Sequence, residues 1–278
     1  MAEKVPIYDN HIHMSPSGRN VDALLEFQKA GGTGLTLVTL PHPEVPIACG
    51  GDFMESYGIT LDLAARARER TDLEINIAVG PYPVLIVQLA AAYGLEAAVS
   101  MMMKGMEDAA SLVDSGQAQA IGEVGRPHFE TSPEIAEASD RILLRGMELA
   151  RENGCPVIVH CENSEGTNES LARIAGKAGL DPGRVIKHSS PPLILPEENF
   201  GVMPSIPASK VYISEALSKG SRFMLETDYI DDPSKPGAVM SVNTVPKKIK
   251  GMLASGAVDP ETVFRICGEI PDSMYGRR

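Results

Sequence analysis

Histidines that follow predicted strands are the residues of this sequence best suited to chemistry. Near the N-terminus, the segment DNHIH places His11 and His13 two residues apart. Side chains alternate along a strand, so both rings point the same way and can bind one metal ion, with Asp9 orienting a ring from behind. Two more apolar runs end in His160 and His188. The four imidazoles predict a metal site if the fold brings these strand ends together.

Two carboxylates also follow predicted strands. Glu123 lies in the segment GEVG, where the flanking glycines allow a ligand to approach closely, and Asp228 ends the segment LETD. Glu226 and Asp228 share one face of that segment. A carboxylate at such a position can bind a metal or accept a proton from water that a metal activates. These carboxylates therefore extend the predicted metal site to the mixed nitrogen and oxygen ligands of a hydrolase.

The elements that must position these residues alternate between short apolar runs and helical stretches. Such alternation is typical of a parallel sheet with helical crossovers. A doubly wound sheet would share it, but no GxGxxG segment follows the first strand, and eight strands suit a barrel. The predicted strands are Val5–Asp9, Leu35–Leu40, Leu73–Val79, Ala118–Val124, Pro156–His160, Arg184–His188, Gly201–Ile206 and Arg222–Thr227.

The sequence therefore predicts an α/β fold, a single (β/α)8 TIM barrel over residues 1–278 with closing helices at Val245–Ser255 and Pro260–Ile266. The predicted ligands fall on strands one, four, five, six and eight. Because a barrel gathers the carboxyl ends of its strands at one mouth, we expect them to converge. Among the other helices, Thr60–Arg70 follows the second strand, and the apolar stretch Val84–Met103 is expected to be a buried helix pair rather than a membrane span.

Composition limits the classes of partner. The chain has 37 acidic and 25 basic residues in 278, a formal charge of −12. This charge disfavours a broad basic surface for duplex nucleic acid, although a small or single-stranded substrate could still enter a local cationic site. Four scattered cysteines predict neither disulfides nor a cysteine zinc cluster. The first residues contain no long apolar run, so we expect no signal peptide, no membrane association and a cytoplasmic protein. The sequence leaves the oligomeric state open.

Five motifs together resemble the TatD family of metal-dependent hydrolases, in the amidohydrolase superfamily. They are DNHIH, GEVG, VIVHCEN, VIKHSS and LETDYIDDP, spread in the family's order over Asp9–Asp232. The segments GEVGRPHFE, KHSSPP and ETDYIDDPSKPGAV resemble an uncharacterised archaeal-type branch. The resemblance implies a (β/α)8 barrel, and several members of the family are deoxyribonucleases.

The resemblance also implies a role for each ligand position. His11 and His13 would bind a first metal together with Asp228. Glu123 would bridge both metals, and His160 and His188 would complete the second site. Two divalent ions are implied, with Zn²⁺ favoured by the imidazole-rich set and Mn²⁺ or Mg²⁺ as alternatives. Asp228 would accept the proton of the attacking water.

The sequence departs from the family after the fourth strand. TatD nucleases usually carry GE-x-G-L-D there, whereas this chain has Arg126-Pro127 in place of Leu-Asp. The metal ligands survive this change, but any substrate contact made by that Asp does not. Four other residues near the predicted strand ends are candidate substrate contacts, with Arg126 suited to a phosphate: His42, Arg126, His128 and Glu162.

Three functions are compatible with these residues. The first is hydrolysis of a phosphoester in DNA or a nucleotide-like substrate, which the resemblance favours. The second is hydrolysis of an amide, lactone or other C–N or C–O bond, which is the other chemistry of the superfamily. The third is a metal-binding scaffold without turnover, which is disfavoured because both the ligands and a candidate base are present.

Overall fold

Parallel strands curl into the predicted barrel. A computed structural model of the chain describes residues 5–232, 234 and 240–276. The described strands are β1 (Tyr8–His13), β2 (Gly34–Val38), β3 (Glu74–Val79), β4 (Ala120–Gly125), β5 (Val157–His160), β6 (Val185–Lys187), β7 (Met203–Pro207), β8 (Met224–Glu226) and β9 (Tyr229–Ile230). Their order is β8-β7-β6-β5-β4-β3-β2-β1-β9, and the pairings are all parallel. The predicted α/β barrel is confirmed.

Helices connect the strands and cover the outside of the barrel. The described α-helices are α1 (Val21–Ala30), α2 (Asp52–Arg70), α3 (Leu85–Tyr93), α4 (Leu95–Asp114), α5 (Pro133–Asn153), α6 (Thr167–Ala178), α7 (Pro196–Asn199), α8 (Lys210–Lys219), α9 (Thr244–Ser255), α10 (Pro260–Phe264) and α11 (Ile270–Tyr275). A 3₁₀ turn covers Pro182–Arg184, and a π-helical turn covers Arg265–Glu269 between α10 and α11.

The strands read as apolar runs because both of their faces are covered. Leu35 and Leu37 of β2 are fully buried in the larger apolar cluster, which includes the inner faces of α2, α4 and α5. Val38, at the end of the same strand, belongs to the second cluster together with Ile158 and Ile186. At roughly 25 cal/mol for each Å² of apolar surface removed from water, this double burial is the main force that holds strands and helices together.

Two predicted elements begin or end elsewhere. The first strand was predicted to end at Asp9, but β1 begins at Tyr8 and extends through His13, so the HxH segment is part of the strand. Helix α2 begins at Asp52 rather than Thr60, because its first two turns bury Phe53 and Tyr57 in the larger apolar cluster. The Asp52 carboxylate holds the preceding loop by accepting hydrogen bonds from the backbone of Ala48 and Cys49. The apolar stretch Val84–Met103 forms the predicted pair, α3 and the first part of α4, separated at Gly94.

Two short elements were not predicted. Strand β9 pairs with β1 through Ile12 and Tyr229, and α7 lies between β6 and β7. The C-terminal helical region also continues past Ile266, through the π turn into α11. The family-like segment after β8 includes residues 233 and 235–239, which lie outside the described residues. Within the described part of the chain, no helix combines the length and apolarity that crossing a membrane requires.

Candidate metal centre

The HxH segment of β1 aims two imidazoles at one point. The pairing of β1 with β2 shifts register between Asp9 and Ile12, which marks a bulge at the start of this segment. Bulges re-aim side chains, and here the Nε2 atoms of His11 and His13 lie 3.1 Å apart in the barrel interior. Both residues are almost fully buried, at 0% and 3% exposure. The two nitrogens are thus placed to share one ligand.

Glu123 lies at the centre of the cluster. Its Oε1 is 3.0 Å from His160 Nδ1, 3.4 Å from His188 Nε2 and 3.7 Å from His11 Nε2, and its Oε2 is 4.0 Å from His13 Nε2. Burial opposes ionisation, but His188 and His160 outweigh it and hold the pKa of Glu123 well below its usual range. The carboxylate therefore remains ionised and faces four imidazoles.

Glycines on both sides of Glu123 are required by packing. The β4–β5 pairing shifts register between Gly122 and Val124, which leaves Glu123 out of the ladder. A Cβ on Gly122 would lie 2.6 Å from Ile158 Cβ. Gly125 has a φ of +134°, and a Cβ there would lie 2.2 Å from the His160 carbonyl oxygen. The glycines thus let β4 approach β5 closely enough for Glu123 to reach His160.

Outer contacts fix three of the four rings. His13 Nδ1 lies 2.8 Å from the carbonyl oxygen of Val38, and His188 Nδ1 lies 2.9 Å from Glu226 Oε1. The His13 contact is a hydrogen bond, which leaves Nε2 of that ring as a free ligand atom, whereas His188 Nδ1 approaches Glu226 as an ion pair without hydrogen-bond geometry. His160 differs, because its Nε2 lies 2.8 Å from His128 Nδ1 and its Nδ1 faces the centre.

Asp228 closes the centre on the side nearest solvent. Its Oδ1 lies 3.4 Å from His13 Nε2, and its side chain is 34% exposed. The residue has a φ of +53°, a left-handed conformation that typically costs a non-glycine residue about 1 kcal/mol or more. Ser189, which follows His188, has a φ of +49°. The backbone is therefore held in rare conformations directly beside the candidate ligands.

The donor atoms fit divalent cations. Three sets have ligand atoms within 4.8 Å of one another: His11, His13 and Asp228; Glu123, His160 and His188; and His11, His188 and Glu226. His13 Nδ1 faces a carbonyl oxygen, so in the neutral ring Nε2 carries a lone pair toward His11. His11 Nδ1 is buried without a hydrogen-bond partner among the described residues. Converging lone pairs beside an ionised carboxylate are the chemistry of a cation site.

Glu226 belongs behind the centre rather than in it. This carboxylate is fully buried and accepts hydrogen bonds from the Ser189 backbone NH and the Ser205 hydroxyl, besides its contact with His188. With both oxygens engaged, it orients the His188 ring. Burial lowers the pKa of His188, but Glu226 and Glu123 outweigh it and raise that pKa to about 9.

Asp9 has a different partner from the one predicted. It was expected to orient a histidine ring, but its Oδ1 accepts from the backbone NH groups of His11 and Thr227, and its Oδ2 accepts from the Thr227 hydroxyl. Burial raises the pKa of Asp9 to about 7. The carboxyl group therefore ties β1 to the end of β8.

The four predicted substrate residues are divided between two cavities. Arg126, His128 and Glu162 line a cavity of about 310 Å³, and His42 lines another of about 480 Å³ together with His13. His42 is 5% exposed, and burial lowers its pKa. All four lie near the mouth, but no single cavity holds them all among the described residues.

Arg126 is engaged in ion pairs. Its Nε lies 3.3 Å from Asp140 Oδ1 and its Nη1 lies 3.4 Å from Glu162 Oε1, while its Nη2 donates to Ser170 Oγ. The guanidinium is 18% exposed. The predicted phosphate contact would therefore compete with two carboxylates.

Tyr82 is a further residue of the site that sequence reasoning missed. Its ring packs edge-on against His160 at 5.3 Å between centroids, and burial together with the charges of Glu123 and Asp228 raises its pKa well above the ordinary value. The phenol is therefore neutral near pH 7. Tyr82 follows the end of β3 by three residues, so its position at a strand end was the available signal.

The chain is similar to known proteins along nearly its whole length. The model of a family described as TatD related DNase matches residues 8–276. An uncharacterised protein of Methanocaldococcus jannaschii is 31% identical over 277 residues, covering 98% of this chain and 96% of its own.

Two solved structures have a similar fold. A phosphotriesterase homology protein from Escherichia coli, solved with phosphate in its active site, has a TM-score of 0.64 at 15% identity and covers 98% of this chain and 99% of its own. The organophosphorus hydrolase of Deinococcus radiodurans has a TM-score of 0.62 at 16% identity, with 98% and 93% covered. At these identities, the two solved structures establish likeness of fold.

Proposed function

Because this chain belongs to the TatD-related DNase family, we propose that it is a metal-dependent hydrolase that cleaves phosphoesters at the mouth of the barrel. One observation carries the proposal: an ionised, buried Glu123 lies within 4.0 Å of nitrogen atoms from four histidines. Asp228 stands beside this cluster with access to solvent. A cluster of this kind holds divalent ions and leaves one side open to substrate.

The residues divide into two ligand sets. His11, His13 and Asp228 would hold one ion, and His160 and His188 would hold the other. Glu123 would contact both ions. The imidazole-rich set favours Zn²⁺, while Mn²⁺ or Mg²⁺ suit the two carboxylates. When bound, divalent ions activate a water and neutralise negative charge on the reacting oxygen of the substrate.

The two carboxylates have different roles. Glu123 is 2% exposed and its pKa is held well below its usual range, so it stays ionised and serves as a ligand rather than a proton acceptor. Asp228 is 34% exposed, and its Oδ1 faces His13 Nε2 at 3.4 Å. Asp228 accepts the proton of the attacking water at this carboxylate and can release it to solvent.

A phosphoester is favoured over other substrates for two reasons. The family is described as DNases, and the E. coli structural relative holds phosphate in its active site. With a net charge of −12, the chain would take a small or single-stranded substrate and would not bind a long duplex stably. Arg126, His128, His42 and Glu162 remain the proposed substrate contacts.

The second candidate is hydrolysis of an uncharged ester, lactone or amide. The arrangement of Arg126 favours it, since Asp140 and Glu162 already neutralise the guanidinium in that cavity. An uncharged substrate would not need to displace either carboxylate.

The test combines metal analysis with a substrate panel. Purified protein would be assayed on single-stranded DNA, a phosphomonoester, a lactone and an amide, alongside H11A, D228N and the control D72N, whose exposed carboxylate precedes β3 at the other end of the barrel. We expect bound divalent metal, turnover of the phosphodiester, a drop of at least 100-fold in D228N, and no change in D72N. Turnover confined to the lactone or amide would support the second candidate. Full activity in H11A and D228N would refute the metal mechanism.

A further inference from the structure

His160 differs from the other candidate ligands in how its ring is supported. Its Nδ1 faces the centre, 3.0 Å from Glu123 Oε1, and its Nε2 lies 2.8 Å from His128 Nδ1. The rings of His128 and His160 are 5.0 Å apart between centroids and inclined at 66°, an edge-on arrangement that suits a hydrogen bond between ring nitrogens. His128 follows β4 by three residues, in the loop that leads to α5.

The tautomers of this pair follow from ligation. A metal ligand must offer a lone pair, so with an ion bound Nδ1 of His160 would be unprotonated and Nε2 would carry the ring proton. That proton would be donated to Nδ1 of His128, which would make His128 the acceptor. Rotating the His160 ring by half a turn about its Cβ–Cγ bond would break this hydrogen bond and place the carbon Cδ2 where Nδ1 now faces Glu123. The His128 contact therefore selects the ring orientation that presents Nδ1 to the centre.

The other two supported rings have stronger partners. His13 Nδ1 faces the backbone carbonyl of Val38, and His188 Nδ1 faces the fully buried carboxylate of Glu226. The partner of His160 is instead a side chain that is exposed to solvent on a loop. Outer-sphere partners raise ligand basicity and fix ligand orientation, and an exposed partner on a loop does less of both than a buried one.

We propose that His128 is a positioning residue that holds His160 and thereby sets the affinity of the ion bound by Glu123, His160 and His188, without affecting the ion bound by His11, His13 and Asp228. This inference rests on the metal centre of the proposed function. It adds that the two ions differ in affinity, with the ion on the His160 side held more weakly. It also assigns His128 a role other than direct contact with substrate.

The experiment measures metal binding rather than turnover. Chelator-treated wild-type protein, H128A, H128Q and the control T131A would be titrated with Zn²⁺ in competition with a chromophoric chelator. A parallel titration with Co²⁺ would record the visible absorption bands of each ion. T131A alters the same loop, and Thr131 makes no hydrogen bond to His160 among the described residues. H128Q keeps an oxygen that can accept the proton of His160 Nε2.

We expect wild-type protein to bind two ions in two resolved steps. In H128A the weaker step should lose about 10- to 100-fold in affinity, while the tighter step stays within about twofold. H128Q should recover part of the loss, and T131A should match wild type. The Co²⁺ bands of the second equivalent should change in H128A, because the ligand field of His160 changes with its orientation.

Several results would overturn the inference. Equal weakening of both binding steps in H128A would mean that His128 acts on the fold as a whole. A lower unfolding midpoint of chelator-treated H128A than of chelator-treated wild type would show the same. Unchanged affinities in H128A would show that His128 does not position His160, while the proposed function would stand. A wild-type protein that binds one ion in a single step would remove the second site, and one that binds none would overturn the proposed function as well.

Discussion

Replacing Glu226 by Gln removes the charge behind His188 while preserving the shape of the side chain. In the metal-free protein, burial lowers the pKa of His188, but Glu226 and Glu123 outweigh it and raise that pKa from 6.5 to about 9. A histidine whose pKa is raised by folding stabilises the folded state while it is protonated. This contribution is complete below about pH 6.5 and is lost as the pH rises through about 9. The metal-free protein should therefore lose stability between these values.

The size of the effect follows from the same values. A shift of about 2.5 pH units corresponds to roughly 3 kcal/mol at low pH, at about 1.4 kcal/mol for each unit. About 2 kcal/mol of this is lost between pH 7 and pH 9. Glu226 supplies the largest of the raising contributions, so E226Q should lose most of this dependence. Between pH 7 and pH 9, the free energy of unfolding of E226Q should therefore fall by about 1 to 2 kcal/mol less than that of wild type.

The assay is urea unfolding with a chelator present, at pH 7, 8 and 9. A suitable control is E137Q, which removes an exposed carboxylate on α5 and should follow the wild-type pH dependence. If E226Q keeps the full wild-type slope, then Glu226 does not hold the proton on His188, and the role assigned to Glu226 is refuted. Because the comparison uses the change in unfolding free energy between pH values, any pH-independent effect of the glutamine amide on packing cancels.

Three further outcomes are expected. D9A should lower the free energy of unfolding by about 1 to 3 kcal/mol in urea at pH 6, below the raised pKa of Asp9, because it removes the acceptors of two hydrogen bonds from Thr227 between β1 and β8; a loss below about 0.5 kcal/mol would contradict that role. G125A should reduce the zinc content of the purified protein, since its Cβ would press on the His160 carbonyl oxygen, and a full complement of metal would argue against it. Removing the metal with a chelator should lower the thermal unfolding midpoint, because each bound ion stabilises the folded state by about 3 kcal/mol when the free ion is at 100 times its Kd. An unchanged midpoint would mean that no ion stabilises the fold.

The barrel and most of the centre were predictable because their signals are local. Strand β5 ends at His160 as predicted, since an apolar run buried on both faces must end where a polar side chain meets the mouth. The same argument applies to His188 after β6. Neither prediction needed knowledge of distant residues, because a barrel gathers every strand end at one mouth.

The remaining features depend on partners far along the chain. The carboxylate of Asp9 meets Thr227, and the guanidinium of Arg126 meets Asp140 on α5. The hydrophobic periodicity of the sequence does not indicate contacts between residues so far apart in the chain. Strand β9 is only two residues long, and its pairing with β1 alone defines it. The role of Glu226 likewise requires knowing that β6 and β8 place two side chains within 2.9 Å.

The pairing of β9 with β1 places candidate metal ligands from the first strand and from the end of the barrel sequence side by side, where the barrel closes. His13 pairs with Ile230, and its carbonyl oxygen accepts from the Asp231 backbone NH, so the first strand is held by the segment that follows Asp228. An ion shared by His11, His13 and Asp228 would cross-link two parts of the chain that are far apart in sequence. The unfolded chain cannot hold these three ligands together, so the binding free energy of the ion would add to the stability of the folded barrel. The first strand could then detach only after the ion had dissociated, so the rate of metal release would limit the rate at which β1 separates from β9.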